Sequence, residues 1–331
     1  VVKAMRAVRS GPAGAGLALA VLSAATFGTS GTFASALIRA GWSPAAAVIV
    51  RIAVSALILT VPALIQLRGR WGLLRRAAPR VTVYGLLAVA GCQLFYFNAL
   101  QRIPVGVALL LEYLGAVLVV LWAWLREGQR PRRLTVTGAV SAIAGLVMVL
   151  NLIGTGHIDP VGVMWGLLAA GGLAVYFVLS AAAEEPLPPI AMAWAGMCVG
   201  AAALGLLGLA GALPMKATAA DVVFLGHRVS WLVPVLGLSL VAAVIAYVAG
   251  IGAARRLGAK LASFIGMTEV LFAILFAWLA LGQLPSPVQF LGGAFILAGI
   301  ALVRAGERAP ARPADERPVA SAAQPYEPSR T

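Results

Sequence analysis

An all-α membrane protein of ten transmembrane helices, arranged as two inverted five-helix repeats, is the fold class this sequence predicts. Three observations carry the prediction. First, 61% of the 331 residues are hydrophobic and only 11% are charged, with a mean hydropathy of +0.96. Soluble domains carry roughly a quarter charged residues, so this chain cannot build a water-facing surface and must be solvated by lipid. Second, ten stretches supply the about 20 mostly apolar residues that a spanning helix needs. Third, the second half repeats the first at a constant offset of about 154 residues. Ala123-Trp124-Leu125, Gly128-Gln129, Pro131, Gly138 and Ala144-Gly145 recur as Ala277-Trp278-Leu279, Gly282-Gln283, Pro285, Gly292 and Ala298-Gly299, and Ala99, Ala108, Leu121 and Val149 recur as Ala253, Ala262, Leu275 and Val303.

The elements follow in order. A short cytoplasmic segment, 1–13, carries Lys3, Arg6 and Arg9. The apolar run behind it is too long for a signal peptide and reads as an uncleaved first helix, 14–38. Gly41-Trp42-Ser43-Pro44 ends it, and a second span covers 45–66. An arginine-rich loop (Arg68, Arg70, Arg75, Arg76, Arg80) leads to the spans 81–101, 104–125 and 134–153, divided at Ile103-Pro104 and Pro131. The first repeat thus occupies 14–153. A linker, 154–160, ends in Asp159-Pro160. The second repeat, 161–304, holds spans at 161–182, 188–212, 231–253, 260–281 and 286–304, punctuated by the Pro186–Pro189 group and by Pro285-Ser286-Pro287. Proline suits such boundaries because its missing N–H is tolerated at a helix start. Between the seventh and eighth spans lies a long loop, 213–230, with an apolar patch from Val222 to Leu225. The tail, 305–331, is polar and rich in Pro, Ala and Arg, and is expected to be disordered.

The net charge of +14 does not point to nucleic acid, because the basic residues sit in short clusters between apolar spans without aromatic interleaving. Their placement sets orientation instead. With the N-terminus in the cytoplasm, about twenty of them fall inside and four (Arg39, Arg102, Lys216, Arg228) outside, so both termini are expected to be cytoplasmic. Five helices per repeat then turn the second repeat upside down relative to the first. Inverted repeats around a central site are the build of alternating-access secondary transporters. The expected setting is a bacterial cytoplasmic membrane, and the expected oligomeric state a monomer or homodimer. Cys92 and Cys198 lie inside apolar spans without metal-ligand spacing and read as small buried hydrophobes. His157 and His227 fall in loops far apart, no enzyme motif occurs, and neither a metal nor a cofactor is implied.

Three ionisable residues lie well inside spans: Arg51, Glu112 and Glu269. A charge at mid-bilayer costs at least ~2.5 kcal/mol, so such residues are paired or used. Glu112 stands roughly 12 Å from the outer end of the fourth span and Glu269 at similar depth in the ninth. They are not in register: Glu112 aligns with Gly266 and Glu269 with Gly115, so any site is asymmetric. Each reads as a proton or ammonium site, or as a neutral acid bonded to a neighbouring helix. Arg51, roughly 10 Å deep, either snorkels to the outer surface, pairs with Glu112, or binds a substrate carboxylate. Gln93, Tyr96 and Asn98 in the third span are candidates for cavity lining, with Asn98 about 200° around the helix from Tyr96. Tyr113, Tyr176, Trp194 and Tyr247 are weaker candidates, since most membrane aromatics are packing or interface anchors. Ser23, Thr26, Thr29, Ser30 and Thr32 read as helix-packing residues, and the glycine pairs Gly138/Gly145 and Gly292/Gly299 as close helix contacts.

Taken together, Arg51-Ile52-Ala53, the run from Ile103 through Glu112-Tyr113 to Ala116, Met267-Thr268-Glu269-Val270, Ala277-Trp278-Leu279 and Gly282-Gln283 resemble the drug/metabolite transporter superfamily. The resemblance is to its ten-helix type built from two EamA repeats, and the fourth span is similar to the subgroup of bacterial threonine/homoserine exporters. It covers residues 14–304. It implies an exporter of small metabolites, amino acids among them, coupled to protons, with a cavity between spans 1–4 and 6–9. Where the family commonly has Pro, this chain has Ala116 and Val270, which implies that a kink near the site is lost; where it commonly has Glu, this chain has Gln129 and Gln283. Two other classes stay open: a non-transporting sensor or adaptor on the same fold, and a membrane-embedded enzyme acting on lipid, for which the sequence offers no nucleophile.

Overall fold

The computed structural model describes residues 12–103, 105–128, 130–149, 159–182, 187–281 and 286–308. The expectations for residues 1–11, Pro104, Gln129, the linker 154–158 with His157, Pro186, Gly282–Pro285 with Gln283, and the tail 309–331 lie outside the described residues.

Among the described residues, ten helical rods follow in the expected order. They are α1 (Pro12–Gly28, then Ser30–Arg39), α2 (Pro44–Leu67), α3 (Ala78–Val83, Tyr84–Gly91, Cys92–Leu100), α4 (Val105–Tyr113, then Gly115–Glu127) and α5 (Arg133–Val149). Then come α6 (Pro160–Ala181), α7 (Pro189–Leu209), α8 (Leu232–Leu236, Gly237–Ile245, Ala246–Leu257), α9 (Ala259–Gly266, then Thr268–Leu281) and α10 (Pro287–Arg308). Among the described residues nine helices are long and apolar enough to cross a bilayer; α5, with 17 residues, is the shorter tenth. Lipid is the solvent of the outer faces: Leu57, Val61 and Ile65, four residues apart on α2, are all more than half exposed, a stripe that water would not tolerate.

Local chemistry sets the ends. Ser43 accepts a hydrogen bond from the Ala46 N–H at 3.2 Å, with Pro44 opening α2. Asp159 accepts from the Val161 N–H at 2.8 Å, with Pro160 opening α6. That bond and Arg102, 3.1 Å away, hold the exposed Asp159 carboxyl below the usual carboxylate range.

The contact between α5 and α10 displays the inversion directly. A Cβ on Gly138 would meet the Gly299 carbonyl at 2.7 Å, and one on Gly145 the Gly292 carbonyl at 2.5 Å. As numbers rise on α5 they fall on α10, so the helices are antiparallel. Gly138 and Gly292 are repeat equivalents, as are Gly145 and Gly299, so a pseudo-twofold axis passes between them. Ser141, whose hydroxyl donates to the Phe295 carbonyl at 2.9 Å, sits on it: the two residues are 154 apart. The first helix of each repeat packs on the other repeat: α6 lies against α3 and α4, and α1 against α8 and α9.

Several details differ from the sequence reading. The loop 213–230 contains a hairpin, β1 (Val222–Phe224) with β2 (His227–Val229), turned by Leu225 and Gly226 at φ +50° and +81°. The protein is therefore not wholly α; apolar Val222 is buried here, and Phe224 stacks on Phe33 of α1 at 5.3 Å. A short helix, Trp71–Arg76, occupies the arginine-rich loop. Helix α10 continues to Arg308, past the predicted end at 304. Finally, α4 and α9 are interrupted at Leu114 and Met267 although neither carries the family proline. Leu114 N–H divides its bond between the Leu110 and Leu111 carbonyls, and Met267 N–H bonds to Phe264 three residues back. The interruption comes from a tightened turn, not from proline.

Candidate functional site

The interruptions and the π-helical stretches position the site. Tyr84–Gly91 in α3 and Gly237–Ile245 in α8 are both π-helical, and the 154-residue offset carries one almost onto the other. Such wide turns re-aim the residues that follow them. After the first come Cys92, Gln93, Tyr96 and Phe97; after the second come Tyr247, Gly250 and Ala253; all seven face one cavity.

That cavity, about 220 Å³, is lined by α1, α2, α3, α4, α6, α8 and α9. Among the described residues α7, expected as a wall, contributes no lining residue. Arg51, Gln93, Tyr96, Glu112, Tyr113 and Glu269 all line it; Asn98 does not. The Asn98 amide donates to the Leu94 carbonyl of its own helix at 2.8 Å, on the side away from Tyr96.

Arg51 does not snorkel. It is 2% exposed, and its guanidinium donates to Gln93 Oε1 at 2.9 Å, to Ser30 Oγ at 3.2 Å and to the Ala242 carbonyl. The direct Arg51–Glu112 pair considered from the sequence is not formed among the described ion pairs. Neutral acceptors from α1, α3 and α8 hold the fork instead, because α2 enters the bundle where those three helices meet. Arg51 therefore stands in the cavity wall as a fixed cation, with no carboxylate clamped to it among the described ion pairs.

The two acids are held differently. Glu112 precedes the interruption in α4, and the Cys92 thiol donates to its Oε1 at 3.4 Å. Glu269 follows the interruption in α9, beside the Tyr113 hydroxyl. Packing explains their offset register. Position 115 is the equivalent of Glu269, but there α6 crosses α4, and a Cβ would meet the Ala170 carbonyl at 2.8 Å. Only glycine fits there, and the acid of the first repeat stands one turn earlier, at Glu112. In the second repeat it is Gly28 of α1 that yields, lying against the Glu269 backbone.

Beside the charged groups stands an aromatic wall. Phe27 meets Tyr247 edge-on with ring centroids 5.2 Å apart, and Tyr176 meets Tyr247 at 5.5 Å. Tyr176 and Tyr247 thus join the cavity, whereas Trp194 leaves it, donating to Thr60 Oγ1 at 3.1 Å. Sequence reasoning missed Cys92, Phe27 and the direct role of Ser30. Cys92 stands on the Gln93–Tyr96 face, but its 20-residue separation from Glu112 gave no sign that they touch. Among the described residues no group of three or more potential metal ligands gathers.

Comparison with known proteins bears on this arrangement. The model of the EamA-like transporter family matches residues 14–151 and 160–305. An aromatic amino acid exporter, YddG of Ancylobacter novellus, is 33% identical over 128 residues; the match spans 38% of this chain and 45%, under half, of that protein. An uncharacterized transporter of Archaeoglobus fulgidus is 27% identical over 221 residues, 66% of this chain and 73% of its own length. A solved crystal structure, 23% identical, superposes with a TM-score of 0.71 over 88% of this chain and 99% of that one, and shares the fold.

Proposed function

The chain belongs to the EamA-like transporter family, and on that premise we propose that it exports small zwitterions, aromatic amino acids foremost, from the bacterial cytoplasm in exchange for protons. The observation that carries the proposal is the composition of the cavity: one fixed guanidinium, two carboxyls and an aromatic wall around the same space. Arg51 is the partner for a substrate carboxylate, Glu112 and Glu269 for its ammonium, and Phe27, Tyr176 and Tyr247 for an aromatic side chain. The name of the Ancylobacter relative supports the aromatic class.

Charge balance supports the coupling. With all three groups ionised, one negative charge is unmatched deep in the bilayer, where it is costly. Either a proton or an ammonium group matches it, so the two compete for the same oxygens. Loading a proton on one side releases substrate there, and loading substrate on the other releases the proton. The moving parts are the two cross-repeat groups, α3–α4–α6 and α1–α8–α9, rocking about the glycine-packed α5–α10 pair.

The test is counterflow in proteoliposomes containing the full chain and preloaded with phenylalanine, tyrosine or tryptophan. Labelled substrate should accumulate, and an imposed pH gradient should drive net flux. Glu112→Gln and Glu269→Gln should each abolish the gradient-driven flux. Gradient-driven flux that survives both substitutions removes the carboxyls from the mechanism.

A further inference from the structure

The glycines Gly28, Gly31, Gly250 and Gly266 line the cavity. Packing accounts for three of them. A Cβ on Gly28 would meet the Glu269 carbonyl at 3.0 Å, one on Gly250 would collide with the Tyr176 hydroxyl, and one on Gly266 would meet the Phe177 ring at 3.1 Å. Gly31 is different. A Cβ there meets nothing within 4 Å among the described residues. Gly31 lies in a helix and has no positive φ, so the backbone does not demand glycine either. Glycine in a helix lowers stability relative to alanine, and no close contact at position 31 offsets that loss.

The space over Gly31 belongs to the cavity. Phe27, Gly31, Ala34 and Ile38 follow at helical spacing, which puts them on one face of α1, and all four line the cavity. Gly31 is exposed whereas Ala34 is buried, so a solute in the cavity can reach the bare backbone. The residue before it, Ser30, accepts from the Arg51 guanidinium at 3.2 Å. One helical turn away, the Phe27 ring meets Tyr247 at 5.2 Å. Gly31 thus stands next to the cation on one side and the aromatic wall on the other.

We propose that Gly31 is a specificity-determining residue, whose missing side chain leaves the bay that receives the ring of an aromatic substrate. A zwitterion held at its carboxylate by Arg51 lays its ring along the bare backbone, with Phe27 as neighbour. This rests on the amino-acid reading of the same cavity. A side chain at position 31 enters open space, so it takes room from the cargo and not from the packing of the bundle. It therefore excludes the largest rings first, because added bulk in a filled pocket forces strain.

The experiment is titration of the purified full chain with labelled phenylalanine and labelled tryptophan, for wild type, Gly31→Ala and Gly31→Leu, with thermal unfolding of each protein in the absence of amino acid. The midpoint of Gly31→Ala should equal or exceed that of wild type, since its Cβ meets no neighbour. Tryptophan affinity should fall about tenfold or more in Gly31→Leu and by less in Gly31→Ala, and phenylalanine affinity should fall less than tryptophan affinity in both. A lower midpoint for Gly31→Ala would make Gly31 a packing residue and overturn the inference. Unchanged tryptophan affinity in Gly31→Leu, an equal loss for both amino acids, or a wild type that binds phenylalanine but not tryptophan overturns it too, while the amino-acid reading stands. No binding of either amino acid to wild type overturns both.

Discussion

At the scale of single residues, burial decides what a charge can do. Arg51 was legible in the sequence as an intramembrane cation, but whether it snorkelled, paired or bound was not. The structure gives it three neutral acceptors on three other helices, a geometry that uses the planar fork and not only the charge. Lysine would keep the charge and lose the fork. Arg51→Lys is therefore expected to fold, to unfold a few degrees lower in detergent, and to raise the transport KM about tenfold, consistent with losing one charge-assisted hydrogen bond. Thermal unfolding and uptake kinetics check this, and an unchanged KM would take Arg51 out of substrate binding. Glu112 and Glu269 were visible by their rarity. Cys92 was not, because a thiol in an apolar span looks like packing until a carboxylate 20 residues away is seen to accept from it.

At the scale of elements, glycine placement separates contact from slack. The Gly138/Gly145 and Gly292/Gly299 pairs were readable as close packing from their spacing alone, and the structure makes them the α5–α10 seam. Gly145→Ala should destabilise the protein by about 1–3 kcal/mol through overpacking against the Gly292 carbonyl. Gly171→Ala on α6, where a Cβ meets nothing within 4 Å, should be neutral or stabilising by up to about 1 kcal/mol. Thermal midpoints of the two variants in one detergent compare them directly, and equal shifts would refute the seam. The π-helical stretches were invisible to sequence reasoning, since Tyr84–Gly91 and Gly237–Ile245 are as apolar as any other turn of these spans. Their matching positions appear only once backbone bonds are drawn.

At the scale of the whole molecule, the inverted duplication governs topology. Both chain ends should lie in the cytoplasm, with the hairpin outside. Alkaline phosphatase fused after Ser230 should be active and the same enzyme fused after Arg308 inactive, and activity at both sites would defeat the inverted arrangement. The sequence alone determined the lipid solvent, the ten spans, the duplication and the presence of two deep acids, because composition and period are properties of the chain itself. It could not determine which helices face each other across the repeats, why the acids stand a turn out of register, or that Arg51 and the aromatic wall share one cavity. Those outcomes depend on α1 and α6 each crossing into the opposite repeat. Close backbone contacts at Gly28 and Gly115 lie within those crossings, between residues far apart in sequence, and only the folded chain brings them together.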